Sequence, residues 1–181
     1  EIEVPWDTLG ESEHVELCEP AKHRPLAPTA ESIAKAAEVL AKSQRPIIWA
    51  GGGVVSADAS EALEALAVVL EAPIVTTPEG KGAISDRHPL SLGMLNARYR
   101  PMREWIDRRD AFLVVGAVSG MAEFLKGKTV VSVDIEDSGG DDGAVRIVGP
   151  LPTALKALYR GIARITEARG SHVEELDVIR A

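Results

Sequence analysis

The stretch that most limits how this chain can fold is Arg45-Pro46-Ile47-Ile48-Trp49-Ala50-Gly51-Gly52-Gly53-Val54-Val55-Ser56. Pro46 breaks off whatever helix precedes it. Ile47, Ile48 and Trp49 form an unbroken apolar run with β propensity, the pattern of a strand covered on both faces. Three glycines follow, so the backbone can take a positive φ and come close to another backbone or a ligand. Asp58-Ala59-Ser60-Glu61 has capping-box spacing, with Asp58 at the N-cap and Glu61 three residues on. Leu63, Leu66 and Leu70 then repeat at helical spacing. Strand, glycine turn and helix start make an anion-friendly corner, and the chain is expected to build a parallel sheet around it.

The flanking segments agree with that expectation. Thr29 is a good N-cap for a helix over about residues 30–43, with Ile33, Ala37 and Leu40 on one face. Residues 73–77 read as a short β-branched strand and 78–82 as a loop, since a proline and two glycines sustain neither period. Leu90-Ser91-Leu92-Gly93 reads as a short third strand. Residues 99–108 read as a helix with Trp105 and Ile106 inward. Apolar strands are expected at 111–116, 129–135 and 145–149, with a polar loop at 138–143. Pro150-Leu151-Pro152-Thr153 opens a last helix to about Arg164, carrying Leu155, Leu158 and Ile162. Strands alternating with helices predict an α/β domain: three layers, α/β/α, with about six parallel strands and right-handed crossovers. The expected division is 1–28 as linker, 29–168 as the domain and 169–181 as an exit linker.

Composition excludes several function classes. The 181 residues are enough for one well-cored domain and short for two. The net charge of -8 comes without a basic cluster, which argues against a nucleic-acid partner. No apolar run reaches the ~20 residues of a membrane span, and no secretory signal pattern opens the chain. Cys18 is the only cysteine, so neither an internal disulfide nor a cysteine-based zinc site is possible, and a reducing cytoplasm is the simplest setting. Glu1 stands where an initiator Met would, so the chain is expected to be a piece of a longer one.

The motifs are then weighed one by one. Gly51-Gly52-Gly53-Val54-Val55-Ser56 nearly fits G-x-G-x-x-G, with Ser56 in place of the third glycine. An NAD site also wants an acid at the end of the next strand, and here that strand ends Thr76-Thr77-Pro78. The glycines therefore make either a tight turn alone or a turn plus a nucleotide corner. Asp134 does sit at a strand end, with Glu136 on the same face; solvent or a ribose suits them better than acid–base work. Lys81 reads as a solvated loop lysine, with a phosphate contact as the alternative. His14, His23, His88 and His172 have no metal-pairing spacing, and no nucleophile elbow is present. Arg98, Arg100 and Arg103 read as helix surface.

In this order, four pieces resemble the central domain of the thiamine diphosphate-dependent enzymes of the acetolactate synthase and 2-oxoacid decarboxylase group. They are residues 45–54, then Ala72-Pro73-Ile74-Val75-Thr76-Thr77-Pro78-Glu79-Gly80-Lys81-Gly82-Ala83-Ile84, then His88-Pro89-Leu90-Ser91-Leu92-Gly93-Met94, and last Val131-Ser132-Val133-Asp134-Ile135. The similarity covers about residues 29–165. Val4-Pro5-Trp6-Asp7 resembles the end of the preceding pyrimidine-binding domain, and the tail after Gly170 the linker to the diphosphate-binding domain.

The resemblance implies a Rossmann-like sheet of the deoxyhypusine-synthase-like NAD/FAD-binding type. It implies a homo-oligomeric parent whose two outer domains hold thiamine pyrophosphate and Mg²⁺ and carry the catalytic glutamate. It implies that this chain, lacking the Gly-Asp-Gly…Asn metal motif, has no catalytic residue of its own. Members that hold FAD or ADP use positions matching Gly51, Gly52, Gly53, Gly93, Met94, Gly116, Asp134 and Ile135. The sequence departs from the flavin pattern after Met94, where it runs Leu95-Asn96-Ala97-Arg98-Tyr99, and after Gly116, where it runs Ala117-Val118-Ser119-Gly120-Met121. The expectation is a mainly structural domain, with a nucleotide-binding module as the alternative.

Overall fold

A computed structural model describes residues 26–96, 98–117, 122–137 and 143–165, together with Gly10. The expected entry linker before residue 26, most of the 138–143 loop and the exit linker lie outside the described residues. So do Cys18, His14, His23 and His172.

Six strands form one all-parallel sheet: β1 (Pro46–Ala50), β2 (Ile74–Thr76), β3 (Ser91–Met94), β4 (Ala111–Val115), β5 (Thr129–Asp134) and β6 (Val145–Val148). Their spatial order is β3-β2-β1-β4-β5-β6, that of doubly wound dinucleotide-binding sheets. The glycine-turn strand β1 is therefore interior, paired with β2 on one side and β4 on the other. All five residues of β1 and all five of β4 are buried, as their unbroken apolar runs require of strands covered on both faces.

The helices are α1 (Ala30–Lys42), α2 (Gly52–Ser56), α3 (Ser60–Leu70), α4 (Arg100–Asp107), α5 (Ala122–Leu125) and α6 (Leu151–Ala163). Right-handed crossovers from β1 to β2 and from β3 to β4 run in opposite directions along the sheet, which places α3 and α4 on opposite faces. On one face α6 packs between α1 and α3, burying Ala37 and Leu40, Leu63 and Leu66, and Leu155, Leu158 and Ile162. On the other, Met102, Trp105 and Ile106 of α4 enter the core, and the Arg103 guanidinium lies 5.5 Å from the Phe124 ring of α5. No helix among the described residues is long and apolar enough to cross a membrane.

Two local expectations need correction. The capping box at Asp58 does not form: α3 starts after Ala59, which makes no side-chain cap, and Asp58 has φ +50°. The helix after β1 begins seven residues earlier than the box would place it, at Gly52 rather than Ala59, inside the glycine run, and residues 57–59 close that first short helix. Their amides bond back to Gly53, Val55 and Val54 carbonyls. Asp58 is the break between two helices, and aspartate tolerates the left-handed region better than most residues. The rule that a helix separates successive strands also fails between β2 and β3, and among the described residues no helix stands between β5 and β6 either. The connection from β2 to β3 is a series of turns over residues 77–90. The Thr29 cap forms as expected, its Oγ1 accepting the Ser32 amide at 3.1 Å.

Candidate functional site

Because every strand is parallel, the ends of β1, β3, β4 and β5 all reach one edge of the sheet. The strand order reverses between β1 and β4, and the crevice there is where open α/β sheets take ligands. The sequence-predicted glycines Gly51, Gly52, Gly53 and Gly116 meet at that point.

The glycines are there because the chain packs against itself. A Cβ on Gly51 would lie 2.1 Å from the Gly116 carbonyl oxygen, and one on Gly53 would lie 2.8 Å from the Gly116 Cα. The Gly51 amide donates to the Val115 carbonyl and the Gly53 amide to the Gly116 carbonyl, each at 2.9 Å. Two of the three glycine N–H groups are thus taken by the neighbouring strand end. Gly52 faces Glu79, where a Cβ would be 3.0 Å from the Glu79 Cβ. Gly116 has φ +53°, and its amide donates to Val133.

The loop after β2 closes the same cluster from the other side. The Thr77 amide donates to Ala50, Thr77 Oγ1 accepts the Gly80 amide at 3.0 Å, and a Cβ on Gly80 would sit 2.3 Å from the Ala50 carbonyl oxygen. Gly80 is therefore as much a part of the turn as Gly51. Its setting in Pro-Glu-Gly marked a loop but did not reveal that the loop folds back onto β1. Lys81, one residue on, reaches the Asp86 carboxylate at 2.7 Å and is well exposed.

The remaining predicted residues stand apart. Gly93 has φ +70° with open space where a Cβ would point, and Met94 is 49% exposed. Asp134 accepts the Ile135 amide on Oδ1 at 2.7 Å, and its carbonyl accepts the Gly149 amide; Ile135 is 48% exposed. The ends of β3 and β5 are four strand positions apart, about 19 Å at the usual strand spacing, a gap only an extended ligand could bridge. Among the described residues no group of three or more His, Cys, Asp or Glu is placed to hold a metal ion.

Two polar positions went unnoticed in the sequence. Arg109 is 1% exposed, with its guanidinium 4.1 Å from the centre of the Trp105 ring. Asp110, at the opposite edge of the sheet, accepts from the Ser43 hydroxyl, from the Gln44 amide at 2.7 Å and from the Arg45 amide at 3.0 Å. Burial pushes its carboxyl up, but these hydrogen bonds, with one from its own amide, outweigh that and hold it below the usual aspartate range. Neither position bears a periodic signal, since each joins a helix end to a strand start.

Comparison with known proteins agrees with the geometry. The family model described as "Thiamine pyrophosphate enzyme, central domain" matches residues 33–158. A probable acetolactate synthase large subunit of Methanococcus aeolicus is 35% identical over 138 residues, covering 71% of this chain and 23% of that protein. Glyoxylate carboligase of Escherichia coli O157:H7 is 30% identical over 145 residues, 75% of this chain and 24% of that one. A probable 2-ketoarginine decarboxylase of Pseudomonas aeruginosa is 32% identical over 180 residues, 94% and 31%. A solved structure titled as a thiamin diphosphate-dependent enzyme from Mycobacterium smegmatis superposes with a TM-score of 0.67 at 25% identity, covering 85% of this chain and 32% of that one. The chain thus spans 23% to 31% of the length of these three curated relatives. With a doubly wound parallel sheet, a self-packed glycine turn at its switch point and a family match over most of its length, the chain belongs to the central domains of the thiamine pyrophosphate enzymes.

Proposed function

We propose that this chain is the structural middle domain of a thiamine pyrophosphate- and Mg²⁺-requiring carbon–carbon lyase or transferase acting on 2-oxoacid-like substrates. The domain proper occupies 29–168, with 1–28 and 169–181 leading to the two outer domains that hold the cofactor in a homo-oligomeric parent in the cytoplasm. The chain contributes no catalytic residue; it spaces the outer domains. The names of the relatives support the parent's chemistry, and the carrying observation for the structural role is the closed glycine turn. Backbone at the end of β4 and in the loop after β2 lies against Gly51, Gly52 and Gly53 on the sides where side chains would stand. Two of the three amides that a diphosphate at this turn would use are already hydrogen-bonded within the chain. The residues present do not fit a nucleotide diphosphate, and the wider set with Gly93, Met94, Gly116, Asp134 and Ile135 is a vestigial site.

Calorimetric titration with ADP and with FAD tests this reading, on the chain and on Asp134→Ala. A colourless protein, no FAD binding and at best weak ADP binding are expected. Tight FAD binding or a yellow preparation would instead make the chain a nucleotide-holding module. ADP binding that ignores Asp134→Ala would remove the ribose role from that aspartate.

A further inference from the structure

On the outer side of the α1, α3, α6 layer, two depressions of about 460 and 340 Å³ share Glu61, Ala65 and Tyr159 and so form one groove between α3 and α6. Two exposed apolar side chains line it, Val68 at 55% exposure and Tyr159 at 39%. Its charges are sorted by helix. Glu61 and Glu64 line it from α3, Lys156 and Arg160 from α6. Glu64 lies 3.5 Å from His88, but Glu61, Lys156 and Arg160 form no ion pair among the described residues.

We propose that this groove is a self-complementary docking surface for a second copy of the chain, related by a two-fold axis along the groove. Both α3 and α6 start at the carboxyl edge of the sheet and run back across it, so they are parallel, and Glu61 lies level with Lys156 in one depression. Rotation about an axis along the groove lays α3 of one copy over α6 of the other in the same direction. Each acidic rim then meets a basic rim, and Tyr159 covers the partner's Ala65 and Val68, in the isologous manner of two-fold interfaces. A two-fold across the groove would stack acid on acid. A partner carrying one sign of charge would match one rim and oppose the other, so the surface fits its own copy best. The inference does not depend on the parent's reaction.

Sedimentation velocity on the 181-residue chain across the micromolar range tests it. A reversible dimer that weakens with added salt is expected. Glu61→Lys should raise the dimer dissociation constant about tenfold or more, since the change occurs twice per dimer. Adding Lys156→Glu to it should restore most of the loss, and Val68→Asp should abolish the dimer. All three positions are on the surface, so unchanged thermal melting of the variants at low concentration controls for folding. A chain that stays monomeric throughout would overturn the proposal and leave the groove to another partner. A dimer indifferent to Glu61→Lys and Val68→Asp would place the interface elsewhere and equally overturn it.

Discussion

At the scale of single residues, the glycines separate into two kinds, and a pair of substitutions distinguishes them. Gly51→Ala drives a Cβ to 2.1 Å from the Gly116 carbonyl oxygen, which cannot move without breaking the β1–β4 crossing. The expected cost is about 3 kcal/mol, which for a chain of this size lowers the melting temperature by roughly 6–12 °C. Gly93→Ala meets nothing within 4 Å and suffers only from its φ of +70°, so it should cost about 1 kcal/mol. Chemical denaturation of both variants checks the contrast; equal losses would mean that the Gly51 contact relaxes and that close packing does not hold this position to glycine, since its φ of -100° suits any residue. That Gly51-Gly52-Gly53 forms a special turn could be read from the residues. That its neighbours are Gly116 and Gly80 could not, because those contacts join segments far apart in sequence. Arg109 was hidden for a related reason: an arginine beside an apolar strand reads as surface until Trp105 is seen lying under its guanidinium.

At the scale of elements, Asp110 ties the turn between α1 and β1 to the start of β4. Its carboxylate accepts from three consecutive residues, Ser43, Gln44 and Arg45. The folded chain holds this proton less tightly than the unfolded chain does. The brace is therefore fully present above the unfolded aspartate value, about 3.9, and is lost as pH falls through the lower folded value. Urea titrations at several pH values should show Asp110→Asn roughly 1 kcal/mol less stable near neutrality, a modest figure because the group is partly solvated. The difference between the two proteins should shrink toward the acid end. A constant difference at all pH values would show that the charge is not what the brace needs. Most element types were legible, because apolar runs and helical stripes report burial directly. The capping box failed because its local pattern competed with a glycine-initiated helix that only packing against β4 stabilises.

At the scale of the whole molecule, this domain is expected to be inert by itself. With thiamine pyrophosphate and Mg²⁺ added, the 181-residue chain should release no CO₂ from pyruvate or other 2-oxoacids. Turnover above a buffer blank, measured by a coupled carbon dioxide assay, would refute the assignment of chemistry to the outer domains. The expectation follows from the small share of its relatives' length that the chain spans, 23% to 31%.

What the amino-acid order determined by itself was the class of the fold and its family. Strand–helix alternation, apolar strands and four motifs in sequence need only local propensity and burial to be read, and the parallel six-stranded sheet with β1 inside it followed. What tertiary structure alone decided was which segments lie against the glycine turn. A glycine frees the backbone to approach something, but its identity cannot say whether that something is a phosphate or another strand. Only the folded chain, by bringing Gly116 and the loop at Gly80 onto Gly51-Gly52-Gly53, shows the backbone that lies against the turn. The same holds for the α3–α6 groove, whose opposed charges lie on helices separated by five strands in sequence and become one surface only when α6 packs beside α3.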